Sequence, residues 1–160
     1  MRIEKANIKD TNEIANIEKV CFPHTEAASF ESIKERISIF GNHFFILKDD
    51  NKIIGFINGM VTNSKNLSDS MYEDANLHNE NGLWQMIFGI DIIPEYQGKG
   101  YAGILMRHFI SVAKHEKHKG VVLTCKENLI TFYEHFGFLN EGISQSEHGG
   151  VSWYQMRLTF

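Results

Sequence analysis

The chain is poor in cysteine and proline, has no surplus of basic residues, and contains no long apolar run. Cys21 and Cys125 are too few for a disulfide framework; they fit a reducing compartment and are expected to serve as small core residues. Only Pro23 and Pro94 interrupt the chain, and no low-complexity tract marks a linker or a disordered segment. A net charge of -4 leaves no basic face for a nucleic-acid partner. No stretch reaches membrane-spanning length and no signal peptide is recognisable, so the expected location is cytoplasmic, with no membrane partner. What remains is 160 residues, 42% of them hydrophobic, sufficient for one domain over 1–160 with its own core.

Apolar periodicity orders the elements. Residues 2–7 read as a strand, ended where Asp10 caps a helix and Glu13 reaches back. Ile14, Ile17 and Cys21 mark one face of that helix, and Phe30, Ile33, Ile37 and Phe40 mark a face of the next. Strands over 43–48 and 52–61 flank an Asp49-Asp50-Asn51 turn. Residues 62–82 are polar and read as a long loop. A strand over 83–92, a helix over 100–117, a strand over 120–125, a helix over 128–136 and strands near 138–145 and 151–159 complete the order. On the 100–117 helix, Ala102, Leu105, Met106, Phe109 and Ala113 share the core-facing side, while His108, His115 and His118 fall opposite. No carboxylate or thiol stands at matching spacing on that histidine face, so it reads as solvated surface and no metal is expected.

The most informative stretch is Ile90 to Gly103, Ile-Asp-Ile-Ile-Pro-Glu-Tyr-Gln-Gly-Lys-Gly-Tyr-Ala-Gly. A β-prone run stops at Pro94, a glycine-rich turn follows, and an amphipathic helix begins. A helix start offers unpaired N–H groups and a partial positive charge, and glycines admit a bulky anion to that backbone. The segment has the form of a phosphate cradle. Gly98-Lys99-Gly100-Tyr101-Ala102-Gly103 also satisfies the dinucleotide fingerprint G-x-G-x-x-G, with Glu127 near the distance of a ribose ligand. Against that reading, Ile93 to Gln97 separate strand from first glycine, and only one strand-helix-strand unit is long enough, where a doubly wound fold needs more.

Gln97-Gly98-Lys99-Gly100-Tyr101-Ala102 matches Q/R-x-x-G-x-G/A, and within Glu127 to Phe138 the stretch Asn128 to Phe138 reads N-x-x-x-F-Y-x-x-x-G-F. This ordered pair resembles the GNAT superfamily of N-acetyltransferases. The resemblance implies an α/β (α+β) fold of order β-α-α-β-β-β-α-β-α-β-β, a mixed central sheet of about seven strands flanked by about four helices. It implies acetyl-CoA as cosubstrate, its pyrophosphate at Gln97, Gly98, Lys99, Gly100, Tyr101, Ala102 and Gly103, its pantetheine arm along Ile90, Ile92, Asn128 and Phe132. Tyr133 takes the place of the proton donor to the departing thiolate; by residue type alone it would equally serve as a packed aromatic.

A narrower resemblance links Cys21-Phe22-Pro23-His24-Thr25-Glu26-Ala27-Ala28-Ser29 and Leu123-Thr124-Cys125-Lys126-Glu127 to the arylalkylamine N-acetyltransferase branch. Vertebrate members carry two histidines on the strand before the pyrophosphate loop as a base relay, where this chain has Met86 and Phe88. The resemblance therefore points to Glu26 as base, in a turn that lines the amine site with Phe22, Pro23, Phe30, Met86 and Phe88, and leaves helix capping as its other role. Asp91, His24 and His78 are further base candidates. Asp69, Glu73, Asp74 and Glu80, opposed only by Lys65, would favour a cationic acceptor if their loop borders the site. The expected activity is transfer of acetyl from acetyl-CoA to a small primary amine (arylalkylamine, diamine or polyamine) in a ternary complex, by a monomer or homodimer. The alternatives are acetylation of a protein N-terminus or lysine, and a non-catalytic acyl-CoA-binding module.

Overall fold

The computed structural model describes residues 1–160. In chain order the elements are β1 (Arg2–Lys5), α1 (Thr11–Cys21), α2 (Phe30–Phe40), β2 (Phe44–Asp49), β3 (Lys52–Asn58), β4 (Val61–Thr62), α3 (Asp69–Glu73), β5 (Trp84–Ile87), β6 (Gly89–Ile92), α4 (Tyr101–His115), β7 (Gly120–Cys125), α5 (Ile130–Glu134), β8 (Leu139–Ile143) and β9 (Tyr154–Thr159). Four strands form an antiparallel sheet in the order β1-β2-β3-β6, and five form a second in the order β4-β5-β7-β9-β8. The pair β5 and β7, joined through α4, is the parallel one.

The two sheets are the halves of one surface broken along a line. The predicted strand over 52–61 divides into β3 and β4 at Gly59 and Met60, and the predicted strand over 83–92 divides into β5 and β6 at Phe88. Pairing continues across the break, with Phe88 N–H donating to the Asn58 carbonyl (2.7 Å) and Met86 N–H to that of Met60 (2.8 Å). Counting each divided strand once recovers the seven anticipated. The break needs close backbone approach: a Cβ on Gly59 would stand 1.8 Å from the Met86 carbonyl oxygen. Buried Gln85 serves the same line, its Nε2 reaching the carbonyls of Gly59 (2.9 Å), Met60 (3.2 Å) and Met86 (2.9 Å).

The main core fills the space between the sheet and α1, α2 and α4, with Ile14, Ile33, Phe44, Ile57, Leu105 and Phe109 almost wholly enclosed. Four of the five residues predicted for the inner face of α4 are buried, and Ala102 is half-buried. Several sequence expectations change. Asp10 does not cap α1 with its side chain; it accepts from Asn7 N–H in a capping box one turn earlier, and Glu13 accepts instead from Ile53 N–H at 3.1 Å. The polar 62–82 segment contains α3 and buries Leu67, Met71 and Ala75 in a second core with Phe40, Trp84 and Met86. Of the three histidines read as solvated, only His115 is exposed: His118 lies buried beyond the helix end, and His108 meets Phe45 edge-on, ring centroids 4.7 Å apart. α4 ends at His115, two residues short of prediction, and residues 128–136 supply only the short α5, with Phe30 at the exposed start of α2 (41%).

Candidate active site

β5 and β7 run side by side as far as Ile87 and Leu123; beyond that register β6 turns away with β3 while β7 stays with β9. The parting opens a cleft of about 780 Å³, lined along one wall by residues 88–92 and along the other by Thr124, Cys125 and Tyr133. The pairing of Gly55 with Ile92 and of Ile57 with Ile90, together with the bond from Ile93 N–H to the Ile54 carbonyl, places Ile90 and Ile92 at positions whose backbone groups face away from β3, toward the cleft. The Ile92 carbonyl shows this direction, accepting from Gln97 Nε2 (2.8 Å) and Cys21 Sγ (3.3 Å).

At the mouth, Pro94–Tyr96 form a single tight turn that Tyr96 anchors by donating its hydroxyl to Asp49 at 2.7 Å. Gly98 (φ +74°) and Gly100 (φ +87°) then bring the chain into α4 through left-handed conformations with nothing near where a Cβ would stand. The first-turn amides of α4 are therefore accessible, with Lys99 beside them. Ile90, Ile92, Gln97 and Asn128 line the cleft itself. Tyr101, Ala102 and Gly103 form the first turn of α4, and Phe132 packs behind Tyr133 at 5.1 Å rather than facing the cavity.

Tyr133 is 6% exposed, held edge-on by Phe132 and Phe138, and its hydroxyl has no protein hydrogen-bond partner. Burial raises its pKa well above the ordinary phenol value, helped by neighbouring Cys125, Tyr72 and Asp91, so it holds its proton. Burial likewise pushes the Cys125 thiol up to about 11 and the Tyr72 hydroxyl, bonded to Thr124 Oγ1 at 3.1 Å, up to about 12.

Glu26 sits in the α1–α2 connection, 9% exposed, and lines the cleft. Its Oε2 accepts from Lys126 Nζ at 2.8 Å, its backbone carbonyl faces His148 Nε2 at 3.0 Å, and its Oε1 is buried with no partner. Deeper along the same wall, Asp91 is 1% exposed with both carboxyl oxygens unpartnered. Burial and the adjacent Glu18 push its pKa far up, against the pull of Arg36. Phe22 and Phe88 line the cavity, but Met86 is sealed in the second core, and Pro23 and Phe30 lie outside the lining. His24 is exposed, and His78 is engaged with Glu80 away from the cleft. Of the acidic loop only Glu73 reaches the lining; Asp69 instead holds Ser146 and the Glu147 amide.

The sequence reading missed Arg36, Tyr72, His148 and Trp153, all in the lining. Arg36 donates to the Tyr72 carbonyl and lies 4.9 Å from the Phe88 ring; His148 stacks on Tyr72 at 5.3 Å. Nothing in linear spacing joins residues 36, 72 and 148. The one available signal was His148 and Trp153 standing together in an otherwise polar connection.

No curated protein sequence matches the chain. Its fold is similar to the loading GNATL domain of CurA from Lyngbya majuscula (TM-score 0.85, 18% identity, covering 99% of this chain and 96% of that one). It is also similar to the GphF GNAT-like decarboxylase in complex with isobutyryl-CoA (0.83, 16%, 99% and 99%) and to the ribosomal-protein-S18-alanine N-acetyltransferase from Escherichia coli (0.73, 18%, 99% and 92%). Likeness at such identities speaks for the fold. Membership rests on the sequence itself: the model of the acetyltransferase (GNAT) family matches residues 11–138, and the chain belongs to that family.

Proposed function

We propose that the protein is an acetyl-CoA-dependent N-acetyltransferase acting on a small primary amine, with affinity to the arylalkylamine branch, by direct attack in a ternary complex. The observation that carries the reading is Tyr133, a buried phenol with a free hydroxyl at the point where β6 and β7 part. There it would protonate the departing thiolate, while the backbone of Ile90 and Ile92 holds the pantetheine arm and polarises the acetyl carbonyl. The amides at Gly98, Gly100 and Tyr101 would take the pyrophosphate. Asn128, in the lining, would hydrogen-bond the pantetheine arm.

An alkylammonium with a pKa near lysine's, about 10.4, must lose a proton before it attacks. We assign that proton to the unpartnered Oε1 of Glu26, with Lys126 on the other oxygen fixing the carboxylate's direction. A small acceptor is favoured over a peptide because Lys126, on the β7 side, and His148, in the 144–153 connection, both bond Glu26. These contacts would narrow the acceptor end for an extended chain. The Glu18, Glu26 and Glu73 carboxyls in the lining, opposed by Arg36 and by Lys126 on Glu26, suit a cationic amine.

The experiment is incubation with acetyl-CoA and a panel of tyramine, tryptamine, putrescine, spermidine, lysine-containing peptides and peptides with free N-termini, following thiol release. Turnover on a free amine is expected. Release with peptides alone would transfer the protein to the protein acetyltransferases, and binding of acetyl-CoA without release on any acceptor would make it a binding module.

A further inference from the structure

Away from the cleft, three segments distant in sequence bring together His43, His78, Glu80, Glu116 and His118, none of which lines the cavity. Their hydrogen bonds fix the tautomers. His78 Nδ1 accepts the Val61 N–H at 3.0 Å, so its proton stands on Nε2 and is donated to Glu80 Oε1 at 2.7 Å. The other Glu80 oxygen lies 2.9 Å from His43 Nε2, which places a proton there and leaves a lone pair on His43 Nδ1. His118 Nδ1 stands 3.0 Å from the Gly82 carbonyl, which accepts only, so Nδ1 carries the proton and Nε2 the lone pair.

Both lone pairs face one oxygen. Glu116 Oε2 is 3.1 Å from His118 Nε2 and 3.8 Å from His43 Nδ1. His43 is 1% exposed, and its Nδ1 is buried with no hydrogen-bond partner. A second proton on His118 would satisfy the 3.1 Å contact with Glu116 as a hydrogen bond, but Nδ1 of buried His43, 3.8 Å from the same oxygen, is left without a partner unless a cation stands among the three.

We propose that His43 Nδ1, His118 Nε2 and Glu116 Oε2 form a binding site for one divalent transition-metal ion of the zinc class. Two imidazoles and a carboxylate suit zinc rather than magnesium or calcium, with a water completing the coordination. Each ligating histidine donates its other ring N–H to a carboxylate or a backbone carbonyl, the outer-shell arrangement that orients imidazole ligands on zinc. Glu80, held in turn by His78, is that outer carboxylate. His43, His78 and Glu80 by themselves also bring ligand atoms within 4.8 Å of one another, but the Val61 amide on His78 Nδ1 keeps the proton on Nε2 and withdraws His78 from the ion. The His43 and His118 rings stand 6.4 Å apart between centroids, so Zn–N bonds of about 2.0–2.1 Å would draw the two rings and the Glu116 carboxylate closer together. The ion would tie the start of β2 to the turn that enters β7, with Glu80 joining the segment before β5. It acts independently of acyl transfer.

The full-length protein, stripped with chelator, is equilibrated with Zn²⁺ or Co²⁺, passed through a desalting column and analysed for metal. One ion per chain and the strong visible absorption of four-coordinate Co²⁺ are expected. Zinc should raise the thermal midpoint of the wild type with the logarithmic concentration dependence of a native-state ligand. His118→Ala and, at a more exposed position, Glu116→Gln should weaken binding at least tenfold and abolish that rise; His115→Ala, exposed at the end of α4, should leave both unchanged. Retention below one ion per ten chains, equal retention by His118→Ala, or loss of binding in His115→Ala would overturn the site.

Discussion

Replacing Tyr133 by phenylalanine removes one oxygen and nothing else. The ring keeps its edge-on contacts with Phe132 and Phe138, and because no protein group bonds the hydroxyl, no partner is left unsatisfied. The folded state should therefore change by no more than about 0.5 kcal/mol, the range of substitutions that leave packing and hydrogen bonds intact. Catalysis should change far more. A positioned general acid contributes about 10²- to 10⁴-fold, or roughly 2.7–5.4 kcal/mol at 1.36 kcal/mol per decade. Because the raised pKa keeps Tyr133 protonated well past the ordinary value of about 10, the loss in kcat should stay constant between about pH 6 and pH 9. Thiol release at saturating acetyl-CoA with the best amine of the panel gives kcat, and urea unfolding gives stability on the same preparation. An unchanged kcat, a loss that vanishes toward high pH, or activity falling in proportion to stability would each refute the assignment.

Gly59→Ala should destabilise the protein by about 3 kcal/mol or more, since the new methyl meets the Met86 carbonyl at the strand break; urea unfolding measures it. Gln85→Met should cost about 1–3 kcal/mol by stripping a donor from the carbonyls along the same line, read in the same way. Asp91 keeps its proton in the native state at pH values where the unfolded chain, with a carboxyl pKa of about 3.9, has lost it. The contribution of Asp91 to stability is thus fully present below about pH 4 and falls as pH rises toward the folded pKa, at up to about 1.4 kcal/mol per unit. Asp91→Asn removes this slope, so its stability relative to wild type should climb from pH 4 to neutrality, as followed by urea midpoints; a constant offset would count against a protonated Asp91. Gly100→Ala forces a side chain into a left-handed conformation at about 1 kcal/mol and crowds the amides at the head of α4, so acetyl-CoA affinity measured by calorimetry should drop several-fold more than any free amine's KM rises.

The inner face of α4 was legible because fifteen helical residues repeat one pattern, and the loop before it because Pro94, Gly98 and Gly100 each have a backbone reason to be there. The break at Phe88 was not, since an apolar β-prone run reads the same whether its halves belong to one sheet or two. Glu13 looked like a capping residue and instead bonds Ile53, forty positions away, a contact that only packing creates. The burial of Leu67, Met71 and Ala75 was masked by the polar residues around them. His118 shows the same limit: its partners Gly82 and His43 come from other elements, whereas helical spacing relates it only to its own face. At the cleft, Tyr133 and Glu26 were found from motif likeness, while Arg36, Tyr72 and His148 meet only after folding.

The paired crossing of β3 into β4 and β6 from β5 divides the labour of the molecule between parts that vary independently. On the proposed function, the cofactor end would be built from backbone atoms of β6 and the glycine turn, and β6 pairs with β3 just before the break at Gly59. On that reading the acceptor end is assembled from the connections around residues 22–29 and 148–153 and from the end of the short helix α3 at residues 72–73. Substitutions in those connections can retune the chosen amine one neighbour at a time, leaving the acyl donor's seat undisturbed. A designer wishing to redirect this protein has a ready boundary: the loop residues around the cleft other than Glu26 and its partners Lys126 and His148 are open to exchange, and the two crossing strands are to be left alone.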